Sequence, residues 1–114
     1  LDWVKHSDPL LESAYAASKV FVLPSLYETP GRSALEAGLA KSNIVITPFG
    51  GTKEYFSNFA TYVNPYSIKK IQESIINSLN SNKSDILSVH IKQNFLWEII
   101  AKKLKTEYEK LLTL

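Results

Sequence analysis

The sequence predicts an α/β domain built on a parallel sheet flanked by helices. Three observations carry this. Two apolar runs, Val20-Phe21-Val22-Leu23 and Ile44-Val45-Ile46, are short and unbroken, as in strands covered on both faces. Segments with helical apolar spacing lie before, between and after them. Turn residues close each run, Pro24-Ser25 after the first and Pro48-Phe49-Gly50-Gly51 after the second. Strand–helix alternation of this kind implies parallel strands joined by crossover helices.

The elements follow in order. Ser7 or Asp8 caps a first helix with Pro9 in its first turn, and Leu10, Leu11, Ala14 and Ala17 recur along it. The first strand is residues 20–23. Thr29 is placed to cap a second helix, with Pro30 at its first position and Ala34, Leu35, Ala37, Gly38 and Leu39 inside it. The second strand follows, then a short helix over residues 52–56 and a third strand within residues 60–63, stopped by Asn64-Pro65. Ser67 caps a helix whose Ile68, Ile71, Ile75 and Leu79 keep one face. Residues 80–84 form a polar loop and residues 85–93 a short helix. A long final helix carries Trp97, Ile100, Ala101, Leu104, Tyr108 and Leu111 as an apolar stripe read as core, with Lys102, Lys103, Lys105 and Lys110 on its wet side.

Composition narrows the function. The 114 residues suffice for one small domain, and 45% hydrophobic content puts a packed core within reach. A net charge of +2 is too small a surplus to mark a nucleic-acid surface. With no cysteine there are no disulfides, no thiolate chemistry and no Cys-type zinc site, which fits a reducing cytoplasm. No apolar run approaches the ~20 residues of a membrane span, and the opening Leu1-Asp2-Trp3-Val4-Lys5-His6 is unlike a signal peptide. The chain opens on Leu1 rather than Met, and the expectation is a piece of a longer protein.

The stretch from Val20 to Ala37 holds the chemistry. Glu28 and Glu36, with seven residues between them, flank the expected start of the second helix, beyond the carboxyl end of the first strand. Ligands of open α/β sheets bind at such strand ends. Gly31, Arg32 and Ser33 are placed to offer unpaired N–H groups at the positive end of the helix dipole, where phosphates bind. Gly31 lets a ligand approach the backbone. Carboxylates that accept bonds from vicinal hydroxyls read a sugar or a ribose. Glu28 and Glu36 are thus placed to grip two parts of one nucleotide-sugar. Spacing alone also fits two surface glutamates, one favoured by the dipole.

The segment Val20-Phe21-Val22-Leu23-Pro24-Ser25-Leu26-Tyr27-Glu28-Thr29-Pro30-Gly31 through Ala34-Leu35-Glu36-Ala37 resembles the E-x(7)-E motif of the retaining family 4 glycosyltransferases. Four further pieces follow in order: Asn43-Ile44-Val45-Ile46-Thr47, Gly50-Gly51-Thr52-Lys53-Glu54, Val63-Asn64-Pro65-Tyr66, and Phe95-Leu96-Trp97-Glu98 through Tyr108. The resemblance implies a Rossmann-like fold, the second half of the C-terminal, donor-binding domain of a GT-B enzyme. Residues 1–114 would form one partial domain, with 95–114 its closing helix, inactive without the missing N-terminal part. By the same resemblance Glu28 is the catalytic-site contact to the transferred sugar and Glu36 the contact to the ribose. The amides of Gly31, Arg32 and Ser33, with Pro30, lie near the sugar and diphosphate, and Leu35 packs on the ribose. Gly50, Gly51 and Glu54 support the site, Glu54 being equally readable as a solvated helix-start carboxylate and Arg32 as a surface arginine. No metal or other cofactor is implied, in keeping with only two, distant histidines, His6 and His90, both read as without chemistry.

Departures from the family pattern lie at Glu28-Thr29-Pro30-Gly31, where Glu-Gly-Phe-Gly is common, and at Lys41-Ser42, where a turn glycine is common. They leave the sugar open. The implied partners are a nucleotide-sugar donor and a sugar, lipid-linked or protein acceptor reached through the missing domain. The final helix adds two expectations: a dimer through its apolar face if nothing else covers it, and attraction of its lysines to anionic lipid at the inner face of the membrane. Two alternatives stay open, a domain that binds nucleotide-sugar or assembles without catalysis, and a GT-B-type nucleotide-sugar epimerase.

Overall fold

The computed structural model describes residues 3–114; Leu1 and Asp2, the start of the segment read as unlike a signal peptide, lie outside the described residues. The described chain forms α1 (Pro9–Ala17), β1 (Val20–Leu23), α2 (Arg32–Leu39), β2 (Asn43–Ile46), α3 (Thr52–Phe56), β3 (Thr61–Tyr62), α4 (Ile68–Asn80), α5 (Ile86–Asn94) and α6 (Trp97–Leu112). The three strands are parallel in the order β1-β2-β3, with Phe21 opposite Ile44 and Leu23 opposite Ile46. The predicted sheet with crossover helices is therefore present, and α5 begins one residue later than expected.

Strand alternation distributes the core. Ile44 and Ile46 point to the face covered by α2, where they join Ala34, Ala37, Phe56, Leu87 and Ile91 in one cluster. Val45, fully buried, points to the opposite face, where α4 packs on β1 and β2. The layering is thus helix, sheet, helix, as a Rossmann-like fold requires. Only β2 is covered on both faces as predicted. Every residue of β1 is half-buried, because β1 is an edge strand whose outer side pairs with no strand among the described residues.

Helix faces show where period alone misleads. Asp8 caps α1 by accepting a bond from the Leu10 N–H at 2.9 Å. Its inner face, however, is Leu11 and Tyr15, while Ala14 and Ala17 are exposed. Ser67 caps α4 as expected, accepting from the Lys70 N–H at 3.3 Å. Its inner residues are Ile71, Ser74, Ile75 and Ser78, whereas Ile68 at the first position is 84% exposed and Leu79 is exposed at the far end. Ser78 fits because its carbonyl accepts a bond from the Asn43 side chain of β2 at 3.0 Å.

Two corrections bear on the site. Helix α2 does not start at a Thr29 cap with Pro30 in the first turn. The Thr29–Pro30 peptide is cis, Gly31 is the cap with φ 81°, and the helix begins at Arg32. The reason is steric: glycine alone takes this left-handed conformation without penalty, and a side chain there would point at Leu23 and Ile46 in the core. Gly31 is buried against those residues and does not offer an open backbone to a ligand. The apolar stripe of α6, read as core, is also not core. No residue of α6 is buried, and Trp97 is 83% exposed. Among the described residues the helix packs on α5, and of the stripe only Ile100 is half-buried, so most of it has no partner there.

Candidate functional site

The site is built where β1 gives way to α2. A return strand segment holds this loop from behind. The Glu28 N–H donates to the Phe49 carbonyl at 3.2 Å, and the Gly51 N–H donates to the Glu28 carbonyl at 2.9 Å, an isolated parallel bridge between Glu28 and Gly50. This approach requires glycine. Gly50 has φ 96°, and a Cβ there would penetrate the Glu28 carbonyl oxygen and lie 3.1 Å from its nitrogen. The turn itself is tied to β2, because Thr52 donates its hydroxyl to the Thr47 carbonyl at 2.8 Å and both threonines are fully buried. Gly50 thus fixes the backbone of Glu28. Gly51 supplies the amide, and its own Cβ space is open, with only Tyr55 at 3.8 Å.

The carboxylates themselves are each held by one hydroxyl. Ser25 donates to Oε1 of Glu28 at 2.7 Å. Tyr15 donates to Oε2 of Glu36 at 3.3 Å, and His6 faces Oε1 of Glu36 at 3.8 Å. Burial, and then the Glu36 carboxylate beside it, push the Tyr15 hydroxyl above its usual 10.0, so it remains a donor throughout the neutral range. None of these three partners was identified from sequence. Ser25, three residues before Glu28, could have been, as a short-range Ser-x-x-Glu pair. Tyr15 and His6 reach Glu36 only through the packing of α1 on α2.

An open groove of about 460 Å³ runs beside the start of α2. Pro30, Arg32, Leu35, Glu36 and Leu39 form one wall. Tyr55, Phe95, Trp97 and Ile100 form the other, with His6 at the rim. Arg32 is exposed and pairs with no carboxylate among the described residues. The N–H groups of Arg32 and Ser33 have no acceptor within the helix, because the first bonds back to Gly31 come from Ala34 and Leu35. One side of the groove therefore offers the Arg32 guanidinium and the Glu36 carboxylate, at the helix start that carries the unpaired amides; the other is apolar and aromatic.

The structure brings some of the expected residues together and leaves others apart. Pro30, Arg32, Leu35 and Glu36 share the groove. Glu28, Gly31 and Ser33 do not line it. Glu54 is exposed in the first turn of α3 and does not line it either. His90 is structural: its Nε2 lies 3.0 Å from the Tyr55 carbonyl and its ring packs between Phe59 and Phe95. Among the described residues, no group of three or more His, Asp or Glu side chains converges as metal ligands do, and no helix is long and apolar enough to cross a membrane.

A parallel α/β sheet with a polar cluster at a strand end and helix start defines the class of ligand-binding Rossmann-like domains. Within that class, residues 2–95 match the family of group 1 glycosyl transferases, and the chain belongs to that family. It is thus a glycosyl transferase domain, whose family transfers sugars. No curated protein and no solved structure matched the chain.

Proposed function

We propose that the chain is the donor-binding side of a retaining, family 4-type glycosyltransferase of GT-B architecture, one part of a larger enzyme, taking a nucleoside diphosphate sugar. One observation carries the reading: Arg32 and Glu36 share one groove at the start of α2, the helix end that carries unpaired amides. Cation and amides suit a diphosphate; the carboxylate suits ribose hydroxyls. Leu35 packs on the ribose, and Glu28, fixed by Ser25 and the Gly50-Gly51 turn, takes a hydroxyl of the transferred sugar. The acceptor oxygen attacks the anomeric carbon on the face from which the diphosphate departs, the carbon–phosphate-oxygen bond breaks, and the departing oxygen takes the acceptor's proton. No enzyme nucleophile and no metal ion is assigned a role.

A second reading, donor binding without transfer, is favoured by one fact: Glu28 does not line the groove that holds Glu36. One experiment addresses both. In the complete protein, Glu28→Ala and Glu36→Ala should each lower kcat/KM for transfer by roughly 10- to 100-fold, the value of a hydrogen bond to a charged group, while circular dichroism is unchanged. Unchanged transfer in both variants would overturn the donor-site reading. Donor binding with no transfer from the unaltered protein would establish the second.

A further inference from the structure

We infer that Tyr15 is a positioning residue for the donor site: its hydroxyl holds one oxygen of Glu36 and turns the other toward the groove to accept a ribose hydroxyl. The inference rests on the donor-site reading above and adds a residue from an element, α1, that the motif does not include.

The geometry is specific. Tyr15 sits half-buried on the inner face of α1 and donates to Glu36 Oε2 at 3.3 Å. Its ring is fixed edge-on against Phe21 of β1, with centroids 5.8 Å apart. Its backbone is fixed as well, because the buried Ser42 hydroxyl lies 3.1 Å from the Tyr15 carbonyl and 3.0 Å from that of Ser18. The hydroxyl thus has a set position relative to α2. The second oxygen, Oε1, has no hydrogen bond among the described residues. Its neighbour His6 stands off at 3.8 Å, longer than a hydrogen bond, on an exposed segment. An aliphatic carboxylate on a helix would otherwise sample several rotamers. A single fixed donor selects one of them. Because burial and Glu36 both favour the neutral phenol, the donor persists across physiological pH.

The test uses Tyr15→Phe, which removes the hydroxyl and keeps the ring against Phe21, with Glu36→Gln in parallel and the double variant. All are measured in the complete protein with a nucleoside diphosphate sugar and its 2′-deoxyribose counterpart. Tyr15→Phe should raise the donor KM about three- to tenfold with kcat unchanged, as expected for one lost positioning bond. It should also shrink the preference for ribose over 2′-deoxyribose, a readout that a merely structural tyrosine would not move. On top of Glu36→Gln, Tyr15→Phe should add nothing. If Glu36→Gln erases the ribose preference and Tyr15→Phe leaves it intact, the inference about Tyr15 is overturned while the donor site stands. If Glu36→Gln itself leaves that preference intact, the ribose role of Glu36 falls, and the inference falls with it.

Discussion

Replacing Gly50 by alanine should unfold the loop that carries Glu28, whereas the same change one residue later should not. The new methyl group at position 50 would overlap the Glu28 carbonyl oxygen and crowd its carbon at 3.0 Å. These are backbone atoms, so no side chain can swing aside. Relief requires the two segments to part, breaking the Glu28-to-Phe49 and Gly51-to-Glu28 bonds, each contributing about 1 kcal/mol. Holding alanine at φ 96° adds roughly 1–2 kcal/mol. The sum is about 3–4 kcal/mol, a large part of the stability of a small domain. Gly51, at φ −89° and with its nearest foreign atom at 3.8 Å, accepts a methyl without strain. Gly51→Ala should be neutral, or stabilising by up to about 1 kcal/mol, through a stiffer unfolded chain. Urea unfolding followed by far-ultraviolet circular dichroism reads both midpoints directly. Equal midpoints for the two variants would refute the steric argument.

Two other outcomes follow from the packing. Gly38→Ala places a methyl 2.9 Å from Ile91 Cδ1 and 3.0 Å from Leu87 Cδ2, where α2 meets α5. These are flexible side-chain ends, so the cost should be about 1–3 kcal/mol, read as a lowered Tm, and smaller than at Gly50. Tyr15 and Tyr62 are both pushed above the usual 10.0, by burial first in each case. The fold therefore favours their neutral forms; that contribution is complete below pH 10.0 and is lost as pH rises through the folded values. Ultraviolet titration should show late-ionising phenol absorbance, part of which Tyr15→Phe removes; a late phase unchanged in Tyr15→Phe would contradict this.

The strands were legible because their signal is local. Val20–Leu23 and Asn43–Ile46 are dense in β-branched and apolar residues between turn formers, and a strand needs little more. Helix α3 and the caps Asp8 and Ser67 were legible for the same reason. The start of α2 was not, since Pro30 carries the usual mark of a first-turn residue while the backbone of Gly31 decides the boundary. In α4 the stripe Ile68, Ile71, Ile75, Leu79 follows period, but the sheet receives the face that carries Ser74 and Ser78. At the site, the spacing of Glu28 and Glu36 was visible and the hydroxyls that hold them were not. Ser25 is near in sequence, yet Tyr15 meets Glu36 only after two helices have packed. The resemblance marks Gly50 as supporting the site, but the form of that support, a close backbone approach to Glu28, was not legible because it depends on a backbone more than twenty residues away.

The exposed start of α6 has a spectroscopic consequence. The chain has two tryptophans, and both face solvent: Trp97 at 83% and Trp3 at 100%. Neither loses a protein environment when the domain unfolds, so tryptophan emission should stay red-shifted and change little through the transition. The indole of Trp97 would move into an apolar setting only when the groove it borders is filled or its helix is covered. Emission from this chain is therefore a poor gauge of its folding and a direct gauge of what docks beside Trp97.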